Sequence, residues 1–198
     1  MYRQTLGWHF AINQMPVRRG GRALQNLGVR LHNLLVTKER NPKTIGLISD
    51  THGLLRPQAL RALEGSDLII HAGDVGDPEI LEALKTLAPV FAVRGNVDTE
   101  PWALALPETE VVKTDPATIY VLHDVHALDL DPVAAGFHII VSGHSHKPSR
   151  TEHGGVLFLN PGSAGPRRFD LPATIARLDV TQKPWGVTFI DLMDAPSK

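Results

Sequence analysis

Cysteine is missing from this chain of 198 residues. Its absence excludes disulfide bonds, thiolate zinc sites and cysteine nucleophiles, so a metal site in this protein has to use imidazole, carboxylate or amide ligands. Long apolar runs are missing as well, because a stretch such as residues 137–141 is far shorter than the roughly 20 residues that a membrane-spanning helix needs. The sequence therefore predicts a protein without a membrane segment.

The first 43 residues lack the features of a targeting segment. They contain no uninterrupted apolar core with a small-residue cleavage site, which argues against a secretory signal. No serine occurs before Ser49, which argues against a mitochondrial presequence, and we therefore expect a cytoplasmic protein. Residues 1–43 carry eight Lys or Arg and one acidic residue, so we interpret them as a basic extension that is either disordered or precedes the true start of the protein.

The rest of the chain is acidic. The whole sequence holds 20 basic and 21 acidic residues, so subtracting the extension leaves 12 basic and 20 acidic residues in 44–198. A negatively charged body repels the phosphate backbone, which argues against nucleic acid as a stable partner. The sequence does not specify an oligomeric state.

A strand–helix alternation begins at residue 44. Residues 44–49 form a short apolar run typical of a strand buried on both faces, and residues 57–65 begin with proline and end with glycine, as helices often do. A strand at 67–72, a helix at 78–87 and a strand at 89–93 continue the alternation. This order predicts right-handed crossovers and a largely parallel sheet.

The second half of the chain is richer in strands. Further strands are predicted at residues 110–113, 118–122, 138–142, 156–159, 173–179 and 187–192. A parallel first half followed by hairpins predicts an α/β fold of two packed sheets flanked by helices, in one domain that covers residues 44–198.

Polar side chains follow directly after five of the predicted strands. They are, in chain order, Asp50, His52, Asp74, Asn96, His123, His144 and His146. Ligands of open α/β sheets bind where the loops converge beyond the carboxyl ends of the strands. We therefore expect these side chains to build a single site.

The chemistry of these side chains suits two divalent cations. A carboxylate can bridge two cations roughly 3.5–4 Å apart, and Asp74, which lies between Gly73 and Gly76, is the candidate bridge. Asp50 and His52 are two residues apart, which in an extended backbone directs both side chains toward one cation. We predict that the first cation is held by Asp50, His52, Asp74 and His146, and the second by Asp74, Asn96, His123 and His144. Manganese is the preferred cation, and nickel, iron and zinc are alternatives.

Taken together, the motifs resemble the calcineurin-like metallophosphoesterases, and most closely their small bacterial and archaeal phosphodiesterase branch. The matching residues are Asp50-Thr51-His52, Gly73-Asp74, Gly95-Asn96-Val97-Asp98, His123, Gly143-His144-Ser145-His146 and Asn160-Pro161-Gly162-Ser163. Each motif alone occurs by chance in many proteins, whereas all of them in this order are specific. The resemblance implies a sandwich of α/β/β/α layers and the same ligand roles, with Asp74 as the bridge. It also implies hydrolysis of a small phosphate ester, with a phosphodiester favoured, by hydroxide that the cations activate.

Three positions near the motifs need separate interpretation. Larger members of the family carry a histidine that protonates the leaving group where this chain has Val97, which cannot transfer a proton. General acid catalysis contributes ~10²–10⁴-fold, so we expect slower turnover or substrates with better leaving groups. The resemblance implies that Asp98 orients a ligand histidine. Asp124 stands where a glycine is common, and it is a candidate acceptor behind the ligands.

The alternative function is a non-catalytic scaffold that binds proteins. The resemblance includes a eukaryotic retromer subunit that keeps the fold while its catalytic capacity is reduced or absent, and Val97 is compatible with that role. The complete ligand set favours the enzyme, because a scaffold need not keep it. Interpretations stay open for Asn160–Ser163, as a turn or a phosphate contact, and for Arg167–Arg168, as a phosphate clamp or a solvated pair. We interpret His71 as a hydrogen-bonded core histidine.

Overall fold

The computed structural model of this protein describes residues 41–168 and 170–193. The predicted basic extension therefore lies outside the described residues, apart from its last three. Ten strands and two α-helices are described: β1 Thr44–Ile48, α1 Pro57–Leu63, β2 Leu68–His71, α2 Pro78–Lys85, β3 Val90–Ala92, β4 Thr109–Lys113, β5 Thr118–Leu122, β6 Ile139–Val141, β7 Ser149–His153, β8 Val156–Asn160, β9 Thr174–Asp179 and β10 Gly186–Asp191. Within these ranges, no helix is long and apolar enough to cross a membrane.

The strands form two mixed sheets of five strands each. In sheet A the order is β10-β9-β1-β2-β3, with β1, β2 and β3 parallel and β9 antiparallel to both of its neighbours. In sheet B the order is β4-β5-β6-β8-β7, with β5, β6 and β8 parallel and the two edge strands antiparallel. The predicted α/β fold of two packed sheets is confirmed.

The two sheets pack face to face around the main apolar core. Alternate residues of β1 and β2, such as Ile45, Leu47 and Ile70, meet residues of sheet B such as Ile119 and Val141, and all of them are buried. Because β1 is also covered on its other face, nearly all of its residues are buried, which explains its continuous apolar run.

Both helices cover the outer face of sheet A. Ile48 and Ile69 of the sheet pack there with Leu63 of α1 and with Ile80 and Leu84 of α2. Proline opens each helix, where its missing N–H is not needed. Asp77 caps α2 by accepting the backbone N–H of Glu79 at 2.9 Å.

In the described part of the chain, the expected helical layer does not cover the outer face of sheet B. Leu122, Ile140 and Val156 pack there against the partly buried side chains of Leu128 and Phe137. These two belong to the connection between β5 and β6, whose described secondary structure is one 3₁₀ turn, Val125–Ala127. A loop with a short turn therefore takes the place of an α-helix on this side.

Strand β7 was not predicted. Its five residues, Ser149–His153, are all exposed and mostly polar, so they show no alternation of buried and exposed positions. The strand exists because it pairs antiparallel with β8 along its whole length. An edge strand whose stability comes from its backbone hydrogen bonds leaves little signal in the side-chain pattern.

Candidate metal centre

All seven predicted ligands lie where loops from the two sheets meet. The loops after β1, β2 and β3 carry Asp50, His52, Asp74 and Asn96, and the loops after β5 and β6 carry His123, His144 and His146. Parallel strands place their carboxyl ends at one edge of each sheet, and these two edges face each other across the core. The structure thus brings the seven residues together.

The first group of predicted ligands combines Asp50 and His52 from the loop after β1 with His146 from the loop after β6. The Nε2 atom of His146 lies 3.2 Å from Asp50 Oδ1 and 3.2 Å from His52 Nε2. His52 Nε2 is also 4.0 Å from Asp50 Oδ1 and 3.8 Å from Asp74 Oδ2. One carboxylate oxygen and two ring nitrogens of Asp50, His52 and His146 lie within 4.8 Å of one another, a spacing that suits a single cation.

The second group of ligands surrounds Asn96. The Oδ1 atom of Asn96 lies 3.1 Å from His123 Nε2 and 3.0 Å from His144 Nδ1. His123 Nε2 is in turn 3.4 Å from Asp74 Oδ2, the same oxygen that faces His52. Asp74 therefore lies between the two groups, which is the place that a bridging carboxylate would occupy.

Five of the predicted ligands have an unusual backbone conformation. In the described ranges, the non-glycine residues with positive φ are Asp50 (54°), His52 (46°), Asp74 (54°), His144 (67°) and His146 (58°). The extended backbone that we expected at Asp50 and His52 is therefore wrong. The left-handed region costs free energy for residues with a Cβ, and such strain is typically stored at functional sites. Here each strained residue turns a side chain into the site from a short loop.

Neighbouring groups hold the ligand side chains in place. Asp50 accepts a hydrogen bond from Ser49 Oγ at 2.6 Å and from the backbone N–H of His144 at 3.2 Å. His123 Nδ1 lies 2.8 Å from the carbonyl of Ala72, so Nδ1 carries the proton and Nε2 turns toward the site. The sequence offers no signal for either contact beyond the position of Ser49 directly before Asp50. Ala72 contributes a backbone carbonyl, which does not depend on the type of residue.

Asp98 acts on the backbone of the site. Its carboxylate accepts the N–H groups of Val75, Gly76 and Gly95 at 3.1, 2.9 and 2.8 Å. The bonds from Val75 and Gly76 fasten the loop after β2 to the loop after β3, and the bond from Gly95 lies within the latter. A hydrogen bond from Asp98 to a ligand histidine, as the resemblance implied, is not among the contacts that the described residues make.

Val97 contributes through its backbone. Its side chain is 45% exposed, and its N–H donates to Asp74 Oδ1 at 3.1 Å. This bond leaves Oδ2 of Asp74 to face His52 and His123. The position that lacks the family's histidine thus still helps to orient the candidate bridge.

A buried relay behind the ligands was missed by the sequence interpretation. His71 Nδ1 accepts the N–H of Gly73, so its Nε2 carries the proton and donates to Thr51 Oγ1 at 2.9 Å. Thr51 in turn donates to the carbonyl of Val75 at 2.9 Å. The expectation that His71 is a hydrogen-bonded core histidine is confirmed. The relay locks the loop of Asp50 to the loop of Asp74.

The Asn160–Ser163 segment supports the site from behind. Asn160 is buried and donates to the carbonyl of Gly143 and to Ser145 Oγ, while Ser163 Oγ donates to the carbonyl of Asp50 at 2.9 Å. Of the two interpretations left open, these contacts favour a structural turn, because they direct the Asn160 amide toward protein groups. Arg168, by contrast, reaches the edge of the site, where its guanidinium lies 3.4 Å from His52 Nε2.

Burial and hydrogen bonding perturb the ionisation of the ligands. Burial raises the pKa of Asp50 to about 6 and lowers that of His146 to about 4. Burial also opposes the charged forms of Asp74 and His123. Their mutual hydrogen bond, backbone hydrogen bonds and the attraction of opposite charges together outweigh burial, so the pKa of Asp74 is lowered and that of His123 is raised. In the metal-free protein, a proton on His123 thus offsets the charge of Asp74, a role that a divalent cation would take over.

This donor set fits divalent cations. The Oδ1 atom of Asn96 lies next to Nε2 of His123 and Nδ1 of His144, so three atoms that can each bind a cation converge at one place. A cation bound there would take the place of the proton on His123 and would be coordinated by these atoms. Imidazole nitrogens together with carboxylate and amide oxygens suit divalent metal ions.

The buried His71 predicts a pH dependence for the stability of the metal-free protein. Burial lowers its pKa to about 4, against ~6.5 in an unfolded chain. Between these values the unfolded chain binds more protons, so stability is lost as the pH falls. For His71 alone we expect a loss of about 2 kcal/mol in the free energy of unfolding between pH 7 and pH 5.

Urea denaturation of EDTA-treated protein at both pH values measures this loss. In His71→Gln the decrease should be smaller by about 2 kcal/mol, whatever the variant's stability at pH 7. The opposing shift of Asp50 is present in both proteins and cancels in the comparison. The exposed His153 of β7 provides the matched control, His153→Gln. Equal pH dependence in the wild type and in His71→Gln would contradict the prediction.

Comparison with known proteins agrees with the geometry. The family model of the calcineurin-like phosphoesterase superfamily domain matches residues 44–183. A probable metallophosphoesterase of Methanocaldococcus jannaschii is 40% identical over 152 residues, which cover 70% of this chain and 77% of that protein.

Among the solved structures that are similar to this fold are a Vps29 and an archaeal phosphodiesterase. The crystal structure of wild-type Vps29 complexed with Zn²⁺, from Entamoeba histolytica, has a TM-score of 0.64 at 28% identity, covering 78% of this chain and 96% of that one. A structure described as a novel archaeal phosphodiesterase has a TM-score of 0.63 at 25% identity, covering 74% and 99%. The match over most of the chain, together with the shared arrangement of sheets, shows that this protein belongs to the calcineurin-like phosphoesterase superfamily.

Proposed function

We propose that this protein is a phosphodiesterase that uses two divalent cations, with manganese preferred. Asp50, His52, Asp74 and His146 would hold the first cation, and Asp74, Asn96, His123 and His144 the second. The observation that carries the proposal is the position of Asp74, whose Oδ2 faces His52 at 3.8 Å and His123 at 3.4 Å. A carboxylate oxygen shared by two groups of ligands is the arrangement that a two-cation centre requires.

The chemistry of the proposed reaction divides between the cations and the protein. When bound, the two cations would acidify a water molecule and neutralise charge on the phosphoryl group. The protein keeps the ligand atoms in a fixed geometry, because Asp98 and the relay from His71 to Thr51 fasten the loops that carry them. Such preorganisation lowers the barrier because nothing has to reorganise during the reaction.

Arg168 supports a phosphate-ester substrate. Its guanidinium lies at the rim of the site, 3.4 Å from His52, where it can approach an anionic phosphoryl group. Arginine binds phosphate oxygens through two parallel N–H donors, which fixes orientation as well as charge. Of the two interpretations left open for this residue, we favour the contact with substrate phosphate.

The side chain of Val97 limits the choice of leaving group. It is exposed and cannot donate a proton to a departing alkoxide. Esters whose alcohol has a low pKa need no such donor. We therefore expect aryl esters to be hydrolysed much faster than alkyl esters that have the same second alcohol.

The proposal is tested on EDTA-treated protein with chromogenic phosphodiesters and phosphomonoesters. We expect no hydrolysis without metal, recovery with Mn²⁺, and a higher kcat/KM for bis(p-nitrophenyl) phosphate than for p-nitrophenyl phosphate. Parallel reactions with nickel, iron, zinc and magnesium rank the cations. A protein that starts at Lys38 should keep this activity, because the predicted ligands all follow it. If no ester is hydrolysed with any of the five metals, the enzymatic proposal is wrong.

A scaffold function is the second candidate, supported by the similarity to Vps29. That neighbour is described as complexed with Zn²⁺, so metal binding alone does not separate a scaffold from an enzyme. Catalysis does separate them. Tight binding of metal without hydrolysis of either ester class would favour the scaffold.

A further inference from the structure

A pocket of about 190 Å³ adjoins the metal centre on the side of His144. The ring of His144 separates the two spaces, since its Nδ1 faces Asn96 and its Nε2 lies 3.8 Å from Asp124 Oδ2, which lines the pocket. The side chain of His144 is 44% exposed. A molecule bound at the metal centre can therefore extend past this ring into the pocket.

The floor of the pocket comes from the antiparallel pair β7 and β8. In their register, Ser149 is opposite Asn160, and Thr151 is opposite Phe158. Residues two apart on a strand share a face of the sheet, so all four belong to the same face. The floor thus combines two exposed hydroxyl groups with one aromatic ring.

The walls of the pocket are held in place by hydrogen bonds. Asp124 Oδ1 accepts the N–H of His126 at 2.9 Å, which leaves Oδ2 to face the pocket and His144. On the opposite wall, Asn160 donates to Ser145 Oγ at 3.1 Å. The pocket is therefore formed before a ligand arrives, which reduces the cost of binding.

The lining favours a neutral alcohol that carries hydroxyl groups. The carboxylate of Asp124 and the hydroxyls of Ser149 and Thr151 can each accept a hydrogen bond. These two hydroxyls and that of Ser145, which already accepts from Asn160 and from the N–H of Lys147, can each donate one. Neither lysine nor arginine is among the lining residues, and Asp124 would repel a second anionic group. A leaving or retained group with its own phosphate or carboxylate is therefore disfavoured.

We propose that this polyol pocket, lined by Asp124, Ser145, Ser149, Thr151 and Phe158, binds the alcohol of the phosphodiester that is not displaced and selects a neutral hydroxylated one. The inference rests on the proposed phosphodiesterase function and names the class of its substrate. It adds no chemical step, because the pocket only holds one ester group while the other leaves.

The test uses three diesters that share p-nitrophenol as the leaving group. Their second alcohols are methanol, glycerol and 3-hydroxypropanoate, so size and charge vary while the bond that breaks stays the same. With Mn²⁺-loaded wild type we expect a KM for the glyceryl diester about tenfold below that of the methyl diester, as two net hydrogen bonds would give. The anionic diester should have the highest KM.

Filling the pocket provides the decisive variant. Thr151→Trp should abolish the advantage of the glyceryl diester while leaving the methyl diester and the affinity for Mn²⁺ unchanged. The matched control is Glu152→Trp, the next residue of β7, which lies on the other face of the sheet and does not line the pocket. Its kinetics should equal those of the wild type, and circular dichroism checks that both variants are folded.

The outcomes separate the pocket from the proposed function. If the wild type hydrolyses none of the three diesters, the phosphodiesterase proposal itself fails. If it hydrolyses the methyl and glyceryl diesters with equal KM, or if Thr151→Trp raises both KM values alike, the polyol pocket is wrong and the phosphodiesterase stands.

Discussion

Replacing Asp74 by alanine is expected to reduce kcat/KM for bis(p-nitrophenyl) phosphate by at least about 10³-fold, because two-cation stabilisation is worth several kcal/mol. The carboxylate of Asp74 faces both His52 and His123, so its loss should separate the two cations or release one. Calorimetry with Mn²⁺ measures this directly, and we expect two bound cations in the wild type and one or none in the variant.

The consequences of Asp74→Ala can be separated from misfolding. Asp74→Asn retains an acceptor for the N–H of Val97 but removes the negative charge, so it should stay folded and lose most of the activity. Asp77→Ala is the matched control, since Asp77 lies three residues away and caps α2. Losing the cap should cost about 1 kcal/mol in unfolding free energy and leave kcat/KM unchanged. Near wild-type activity in Asp74→Asn would exclude Asp74 as a bridge.

The positions of the predicted ligands in the fold could be inferred from the sequence because one simple rule places them. A short apolar run followed by a polar residue marks the end of a buried strand, and parallel strands end at the same edge. Asp50 after β1 and Asp74 after β2 follow this rule directly. The ends of the predicted strands differ from those in the structure by at most one residue, too little to move a predicted ligand to another loop.

The groups that orient the ligands could not be predicted in this way. Thr51 contacts His71 from 20 positions away, and Asp98 contacts Val75 from 23. Neither pair produces a periodic pattern, because each depends on how two loops pack after the sheet has formed. The left-handed backbone of Asp50 and His52 could not be predicted either. Aspartate and histidine also occur with ordinary backbone conformations, so the residue type does not reveal a positive φ. Sequence therefore predicts which residues meet, and the tertiary contacts determine their conformation.

The glycine before Asn96 gives the second large prediction. A Cβ added to Gly95 would overlap Oδ1 and the backbone nitrogen of Asp74, so only glycine lets the loop after β3 approach the candidate bridge. Its φ is not in the left-handed region, so the effect of Gly95→Ala is steric rather than conformational. Displacing a ligand from behind typically costs 10–100-fold, and we expect Mn²⁺ affinity and kcat/KM to fall together by roughly 10²-fold.

Gly186→Ala distinguishes this effect from a general cost of replacing glycine. A Cβ at Gly186 meets only Asp179 Cβ, at 3.2 Å, on the β9–β10 hairpin, which bears none of the predicted ligands. This variant should keep both the affinity for Mn²⁺ and the activity. In Gly95→Ala, a high Mn²⁺ concentration should restore part of kcat, because the added methyl group lowers the affinity for the cation without removing a predicted ligand. Full activity of Gly95→Ala at low Mn²⁺ would mean that Asp74 can move freely, and a carboxylate that moves freely cannot hold two cations at a fixed separation.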